Sequence, residues 1–159
     1  MILAVYPGSF DPITNGHLNI IKRASRLFEH VIVAVAYNVR KQGLFTVQER
    51  LEMLNAVTKD IKGVTVDSFQ GLLVKYMLEK QASVVLRGLR AVSDFEYEFQ
   101  MAHMNSFLAT NIETIFMMTG TEEFYISSNI VREISALDGD VSGLVPPIVK
   151  EYLDRKKRK

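Results

Sequence analysis

The stretch VYPGSFDPITNGH, residues 5–17, joins an apolar run to the start of a helix through a turn rich in proline and glycine. A strand that runs through a loop into a helix usually indicates phosphate binding in an α/β protein. The loop is nevertheless neither G-x-G-x-x-G nor G-x-x-x-x-G-K-[ST]. It ends in Asn15-Gly16-His17, which raises the question of what a histidine does at the mouth of that helix.

The turn residues predict an anion site at this helix start. We expect Gly8 to allow a turn that a Cβ would hinder, and Gly16 to let a ligand approach the backbone. Thr14 or Asn15 can cap the helix, whose free N–H groups and partial positive charge attract anions. The same positive end favours a neutral His17, which can still donate one hydrogen bond to a phosphate oxygen. The alternative is a histidine that only caps the helix or lies at the surface.

Apolar runs alternate with helical patterns along the whole chain. The strand-like runs are 2–6, 31–36, 64–67, 83–86 and 114–118. Helices are predicted from Gly16, after a capping box at Thr46, and over 72–78, 94–108, 129–137 and 146–153. This alternation predicts a single α/β domain over residues 1–159. We expect a doubly wound Rossmann-like fold of about five parallel strands with helices on both faces.

The predicted helix 94–108 is apolar on more than one face. One face carries Phe95, Phe99 and Ala102, and another carries Met101, Met104 and Leu108. Such a helix has to be covered on more than one side. Either it is the central helix of a tight core, or it forms a subunit interface.

Composition excludes several classes of function. Apolar residues make up 48% of the 159-residue chain and the formal net charge is +1, so we expect neither nucleic acid nor a membrane as a partner. The absence of cysteine removes disulfides, thiolate metal sites and a cysteine nucleophile, and fits a cytoplasmic location. The basic tail 155–159 is expected to be a solvated chain end.

Four segments together identify a family. They are 6–17, which ends in T-x-G-H, Lys41 with 44–46 and 49–50, the run RGLRAVSDFEYE at 87–98, and 126–129 with 131–132. Their order and spacing resemble the bacterial phosphopantetheine adenylyltransferases of the nucleotidyltransferase superfamily, along essentially the whole chain. The T-x-G-H motif alone would be a weak signal, but together with the run 87–98 it is close to a family identifier.

The resemblance implies a reaction and its partners. ATP and 4′-phosphopantetheine would give dephospho-coenzyme A and pyrophosphate, by in-line attack on the α-phosphate without a covalent enzyme intermediate. It also implies Mg²⁺, held mainly by phosphates and water, feedback by coenzyme A, and a homohexamer built as a dimer of trimers. Two alternatives stay open: another adenylyl- or cytidylyltransferase, for example one acting on nicotinate mononucleotide, and a nucleotide-binding sensor without catalysis.

The resemblance further implies roles for individual residues. The implied catalytic residues are Ser9, His17, Lys41 and Arg90. The implied ATP-binding residues are Ser9, Phe10, His17, Gly88, Leu89, Arg90, Glu98, Glu123, Phe124, Tyr125, Ile126, Ser127, Ser128 and Asn129. The implied phosphopantetheine-binding residues are Ser9, Lys41, Leu73 and Arg87. No residue is expected to ligate a metal.

Several of these residues have a plainer interpretation. Arg87 and Arg90 can instead form surface ion pairs with Asp94 or Glu98, although the planar guanidinium group of arginine is well suited to binding phosphate. Glu98 is expected at the ribose hydroxyls, because an acid is a poor partner for phosphate. Ser127 and Ser128 can be an ordinary helix cap, and Leu73 can be core packing. His30 and His103 are expected to be structural.

Two features depart from the family pattern. The loop 37–43 lacks a proline and a second lysine near Lys41. Gly43 makes that loop more flexible, so substrate is expected to order Lys41. Asn129 stands where serine or threonine is usual, which alters one potential phosphate donor while preserving a possible cap.

Overall fold

The structure is a computed structural model that describes residues 2–158, apart from the side chain of Ser93. Met1 and Lys159, the last residue of the basic tail, lie outside it. Strands and helices alternate along the chain up to its last two described elements, which are both helices. The order is β1 (Leu3–Gly8), α1 (Asn15–Leu27), β2 (His30–Tyr37), α2 (Val47–Thr58), β3 (Val64–Gln70), α3 (Leu73–Glu79), β4 (Val84–Leu89), α4 (Val92–Leu108), β5 (Glu113–Met118), α5 (Ser128–Ala136) and α6 (Pro147–Lys157).

The sheet is doubly wound around β1. Among the described residues, five parallel strands pair in the order β3-β2-β1-β4-β5. The chain winds outward from β1 through β2 and β3, and then returns to the other side of β1 with β4 and β5. The winding therefore reverses between β1 and β4. Ligands of such sheets lie beyond the carboxyl ends of the strands at this reversal, which is where the loop 9–14 leaves β1.

Two apolar clusters on opposite faces of the sheet hold the helices in place. Ala4 and Tyr6 of β1 belong to one cluster, and Val5 between them belongs to the other, as the two-residue period of a strand requires. The first cluster includes side chains of α1, α2, α5 and α6, and the second includes side chains of α3. The predicted doubly wound α/β fold is thereby confirmed.

The predicted elements occur in the predicted order, and the observed bounds differ from the predicted ones mainly at the ends of the elements. The clearest correction concerns β4, which was expected to stop at Leu86 and instead continues to Leu89. Its pairing with β5 persists through Arg87, Gly88 and Leu89. Arg87 therefore lies inside the strand and not after it, because backbone pairing continues beyond the apolar run that predicted the strand.

Helix α4 is not the centre of a tight core. Phe99 is 47% exposed, Met104 is 52% exposed and Phe107 is 83% exposed. The core alternative for this helix is therefore wrong within the single chain, because its apolar faces reach the surface. Among the described residues, no helix combines the length and the apolar character needed to cross a membrane.

Candidate active site

A cavity of about 230 Å³ opens where the winding of the sheet reverses. We call it the central cavity; its lining is Tyr6, Ser9, Thr14, Gly16, His17, Arg90, Thr119, Ile126, Ser127, Ser128 and Asn129. These residues come from β1 and the loop after it, the start of α1, the positions that directly follow β4 and β5, and the segment that leads into and begins α5. Segments far apart in the sequence thus meet at the place that the topology predicts for a ligand.

The neutral tautomer of His17 is set by its own helix cap. Thr14 is the N-cap of α1, and its backbone N–H donates to Nδ1 of His17 over 3.0 Å. The Thr14 hydroxyl lies 3.1 Å from the same nitrogen. Because Nδ1 accepts the backbone N–H, the proton of the neutral ring must sit on Nε2. His17 therefore has an Nε2–H donor available for a ligand.

His17 stays neutral at physiological pH. Burial, followed by the positive charges of Arg90 and Arg87, lowers its pKa from 6.5 to about 4. Protonation would also place a hydrogen on Nδ1, against the Thr14 N–H. The sequence predicted neutrality from the helix N-terminus alone; the structure adds burial and two guanidinium groups as further causes.

Phe10 packs its ring against the imidazole of His17. Its ring is 1% exposed and meets the His17 ring edge-on, with centroids 5.1 Å apart. The Phe10 backbone has φ of 46°, in the left-handed region that costs a non-glycine residue roughly 1–3 kcal/mol. A Cβ on Gly8 would lie 3.1 Å from this ring. Gly8 thus gives room for Phe10 as well as for the chain reversal.

Helix α5 presents its N-terminus to the same cavity. Ser127 is its N-cap and accepts a hydrogen bond from the Ile130 N–H over 3.1 Å. The Ser128 hydroxyl donates to the Pro12 carbonyl over 2.7 Å, which binds α5 to the loop after β1. The plainer interpretation therefore applies to Ser127, which caps the helix, while the role of both serines in binding phosphate stays a prediction. The first N–H groups of α5 lie at the cavity, where they could receive an anion.

Asn129 is engaged by a neighbouring arginine. Its side-chain oxygen accepts a hydrogen bond from Arg132, whose other terminal nitrogen donates to the Asp11 carbonyl over 2.5 Å. The amide NH₂ of Asn129 is then the group that can serve a phosphate, since the oxygen is already used. This departure from the family pattern therefore preserves a donor.

Arg90 reaches the central cavity at the end of β4. Its Nη1 donates to the Ile126 carbonyl over 3.4 Å, and its Nε lies 3.3 Å from Asp94. The ion pair with Asp94 was the plainer alternative for this residue, and it is present. The guanidinium side chain is still 38% exposed, so it can turn a nitrogen toward a ligand.

Lys41 lies outside the central cavity, in a larger depression of about 1150 Å³ that we call the outer cavity. The outer cavity shares Ser9, Ser128 and Asn129 with the central one, so the two are continuous. Lys41 is exposed on the loop that follows β2. A lysine there can reach toward the shared residues on a flexible stem.

Arg87 and Leu73 line a third, smaller space of about 120 Å³, which we call the side cavity. Glu98 lies there too, and its carboxylate accepts two hydrogen bonds from Arg87, at 2.7 and 2.5 Å. Burial alone would lower the pKa of Arg87, but the hydrogen bonds to Glu98 and its negative charge outweigh burial and raise that pKa. The structure therefore places Glu98 beside Arg87 and not in the central cavity. In the part of the chain that is described, Thr114 has a buried hydroxyl without a hydrogen-bond partner in this same cavity.

Apart from Ile126, the other residues expected to bind ATP lie outside the lining of the central cavity. Gly88 packs against Tyr6 and α1, and the Leu89 carbonyl accepts from Thr119. The turn after β5 carries Glu123, Phe124, Tyr125 and Ile126; Ile126 is buried, while Phe124 and Tyr125 are 56% and 54% exposed. An exposed aromatic pair next to Ile126, which lines the central cavity, can cover a base.

Thr119, Tyr6 and Asp11 lie at these cavities but are not among the residues that the sequence predicted to bind or catalyse. Thr119 directly follows β5, so the rule that ligands lie at carboxyl ends of strands could have found it. The Tyr6 hydroxyl is buried, and burial raises its pKa above the ordinary value, so it stays protonated. Asp11 pairs with residues far away in the chain, and no local pattern indicates this.

The described residues contain no group of three or more histidine and carboxylate side chains that could hold a metal ion. The central cavity presents N–H groups, hydroxyls and a guanidinium instead. Such a lining suits an anion and would repel a bare cation.

The fold and the candidate anion site at the reversal of the sheet agree with one class of protein, the nucleotidyltransferases, and a family model identifies this class. Residues 5–134 match the cytidylyltransferase-like family model. A solved structure from Vibrio parahaemolyticus, described as a nicotinate-nucleotide adenylyltransferase, superposes with a TM-score of 0.72 over 98% of this chain and 93% of that one. At 18% identity this likeness shows the fold alone.

Curated relatives define the family more narrowly. The phosphopantetheine adenylyltransferase of Syntrophus aciditrophicus is 57% identical over 154 residues, which cover 97% of this chain and 93% of the relative. Those of Geobacter sulfurreducens and Moorella thermoacetica are each 55% identical, over 97% and 96% of this chain and 94% and 96% of theirs. The chain belongs to the phosphopantetheine adenylyltransferase family, as its sequence motifs predicted.

Proposed function

We propose that this enzyme transfers the adenylyl group of ATP to 4′-phosphopantetheine, giving dephospho-coenzyme A and pyrophosphate. Family membership supports this reaction. The structural observation that carries it is the convergence of the His17 Nε2–H donor, Arg90 and the N-terminus of α5 on one cavity. A phosphate anion on the second substrate attacks the α-phosphorus of ATP, and the bond to the β-phosphate oxygen breaks as pyrophosphate leaves.

The attacking group is already an anion near neutral pH. The enzyme therefore needs neither a nucleophile of its own nor a strong base, and the absence of cysteine is no obstacle. Its task is to hold two polyanions together and to stabilise charge on the α-phosphoryl oxygens. Fixed hydrogen-bond donors and cations serve that task best, because they need no reorganisation during the reaction.

The residues of the central and outer cavities take these roles in our proposal. His17 donates from Nε2 to an α-phosphoryl oxygen, and Ser9 binds where the two substrates meet. Arg90 and the N–H groups at the start of α5 hold the triphosphate. Lys41 reaches from the outer cavity to the reacting phosphates as a point charge.

The side cavity is the proposed site of the pantetheine arm. Leu73 supplies an apolar wall and Arg87 the cation for the pantetheine phosphate. In the structure, Glu98 neutralises Arg87 through two hydrogen bonds. The expected role of Glu98 at the ribose therefore remains a prediction, and it would require the carboxylate to serve both partners.

Mg²⁺ is the proposed cofactor, bound through the phosphates of ATP and water. It would relieve negative charge on the departing pyrophosphate. The lining of the central cavity fits a metal that arrives with the nucleotide, because its donors hold phosphate oxygens and leave the ion to them.

We also propose a cytoplasmic homohexamer, a dimer of trimers, with coenzyme A as a feedback ligand. The exposed apolar surface of α4 supports the assembly. Coenzyme A contains both the adenylyl and the pantetheine groups, so it can occupy the same cavities as the substrates. No nucleic acid or membrane partner is proposed.

Pyrophosphate release by the purified protein tests the reaction. We expect release with ATP and 4′-phosphopantetheine, and little with nicotinate mononucleotide or glycerol phosphate, or with CTP in place of ATP. Release with one of the other acceptors would favour a related nucleotidyltransferase. Binding of ATP without any release would favour a sensor.

A further inference from the structure

The carboxylate of Asp11 lies buried beneath the loop that carries Lys41. Its side chain is 8% exposed, and its two oxygens accept hydrogen bonds from consecutive backbone N–H groups of that loop. Oδ2 accepts from Leu44 over 2.9 Å and Oδ1 accepts from Phe45 over 2.8 Å. Both oxygens are thus used to hold one end of the loop.

Arg50 balances the charge of this carboxylate. Its Nε lies 3.4 Å from Asp11 Oδ1, and it also donates to the carbonyls of Phe45 over 2.9 Å and Ser9 over 3.2 Å. A buried carboxylate is strongly destabilising unless it is paired and hydrogen-bonded. Arg50 and the two backbone N–H groups therefore stabilise one arrangement around Asp11. That arrangement connects the loop after β1 with the loop after β2.

Gly43 has a packing reason in addition to flexibility. A Cβ at this position would overlap the Arg50 guanidinium and would lie 2.6 Å from Asp11 Oδ2. The loop can therefore cross the Asp11–Arg50 pair only because residue 43 has no side chain. This observation is independent of the hydrogen bonds and points to the same contact.

Lys41 lies between two fixed points of the chain. On one side β2 ends at Tyr37, and the Lys41 N–H donates to the Asn38 carbonyl over 3.0 Å. On the other side Leu44, three residues later, is bound to Asp11. Three residues reach at most about 10 Å, so the anchor limits where the Lys41 side chain can start.

We propose that Asp11 is a positioning residue, which holds the loop 38–45 so that Lys41 faces the reacting phosphates. The same residue touches α5, because Arg132 lies 3.7 Å from Asp11 Oδ2 and donates to the Asp11 carbonyl. Asp11 thus connects the loop of the proposed catalytic lysine with the helix that receives the triphosphate. The inference rests on the proposed function.

A double-mutant cycle between Asp11 and Lys41 tests the inference. Asp11→Asn preserves the shape but turns one acceptor oxygen into a donor, so one loop N–H loses its partner. We expect kcat/KM for 4′-phosphopantetheine to fall roughly 10- to 100-fold, as for a misplaced catalytic group. In a Lys41→Ala background the same change should cost less than about 3-fold, because the group it positions is gone.

Trypsin reports on the loop without reference to activity. Arg40 and Lys41 are its cleavage points within the loop. Asp11→Asn should raise the rate of cleavage there at least several-fold in the unliganded enzyme. Gly43→Ala changes no charge and should give the same two results, which preserves the test if Asp11→Asn does not fold.

Asp67→Asn is the matched control. Asp67 is also an ion-paired carboxylate, 2.7 Å from Lys80, but it lies on the other side of the sheet at β3. It should leave loop cleavage and kcat/KM unchanged. Equal losses of kcat/KM with and without Lys41, or loop cleavage at the wild-type rate in Asp11→Asn, would overturn the inference. If the wild-type enzyme released no pyrophosphate, the proposed function would fail, while the cleavage rates would still decide whether Asp11 holds the loop.

Discussion

Among single residues, His17 shows most directly how local geometry sets chemistry. Its Nδ1 accepts the N–H of its own helix cap, and burial together with Arg90 and Arg87 lowers its pKa to about 4. We expect NMR titration of the free enzyme to find this ring neutral at pH 5. The unfolded chain binds the same proton near pH 6.5, so this histidine lowers stability as the pH falls from 6.5 toward 4. A His17 midpoint near 6.5 would contradict the buried, cap-bound imidazole.

Replacing the imidazole separates catalysis from binding. In His17→Ala the proposed Nε2–H donor to the α-phosphoryl group is lost, and we expect kcat to fall by roughly three orders of magnitude. The affinity for ATP, measured by calorimetry, should largely remain, since Arg90 and α5, the proposed triphosphate site, are unchanged. His30→Ala serves as the control, because His30 bonds Thr65 at the opposite end of the sheet. An unchanged kcat in His17→Ala would remove this residue from the mechanism.

Most residues around the central cavity were predictable from the sequence, and the exceptions share a cause. Ser9, His17 and Arg90 lie in recognisable motifs next to strand ends, so the topology brings them together. The contacts of Asp11 with Arg50 and Arg132 join residues 39 and 121 positions apart. Nothing in the neighbouring sequence distinguishes such a buried pair from a surface one.

Among the helices and strands, the caps decide where the elements around the site begin. Thr46 caps α2 immediately after the Lys41 loop, and it exchanges hydrogen bonds with Glu49 at 2.8 and 3.1 Å. Thr46→Ala should lower the free energy of unfolding by about 1 kcal/mol in urea titration. Thr46→Ser retains the hydroxyl and should lose little. Equal losses in both variants would show that packing of the methyl group, and not the cap, matters.

Hydrophobic periodicity predicted the strands and helices well because the sheet is covered on both sides. Strands such as β2 are apolar nearly throughout, and α1 has a clear buried face. Periodicity failed at the end of β4, where backbone pairing with β5 continues through Arg87 and Gly88. It left the role of α4 open, because an apolar helix face has the same pattern whether its own chain or another copy covers it.

Across the whole molecule, α4 and the edge strand β5 form one exposed apolar surface. Phe95 of α4 packs against Phe116 of β5, and Ile115 and Met118 beside them are 38% and 61% exposed. A β-strand at the edge of a sheet offers unpaired backbone groups, and apolar side chains there promote association. In the homohexamer that we propose, a second copy of this chain would cover both features.

Introducing a negative charge into this apolar surface tests the assembly. Met104 is 52% exposed on α4, so Met104→Glu should fold normally as a single chain. In a symmetric assembly the same carboxylate would be buried at every equivalent interface, which is strongly unfavourable without a partner. We expect light scattering to show a smaller particle than the wild type. Leu27→Glu, on α1 and 70% exposed, should leave the mass unchanged.

Met101 connects this surface with the proposed pantetheine site. It is 39% exposed on α4 and also lines the side cavity beside Arg87. Met101→Glu should therefore reduce particle mass and raise the KM for 4′-phosphopantetheine. Met104→Glu should mainly reduce the particle mass. Wild-type mass for both variants would exclude α4 from the interface. A reduced mass with unchanged kinetics in Met101→Glu would show that each subunit completes its site alone.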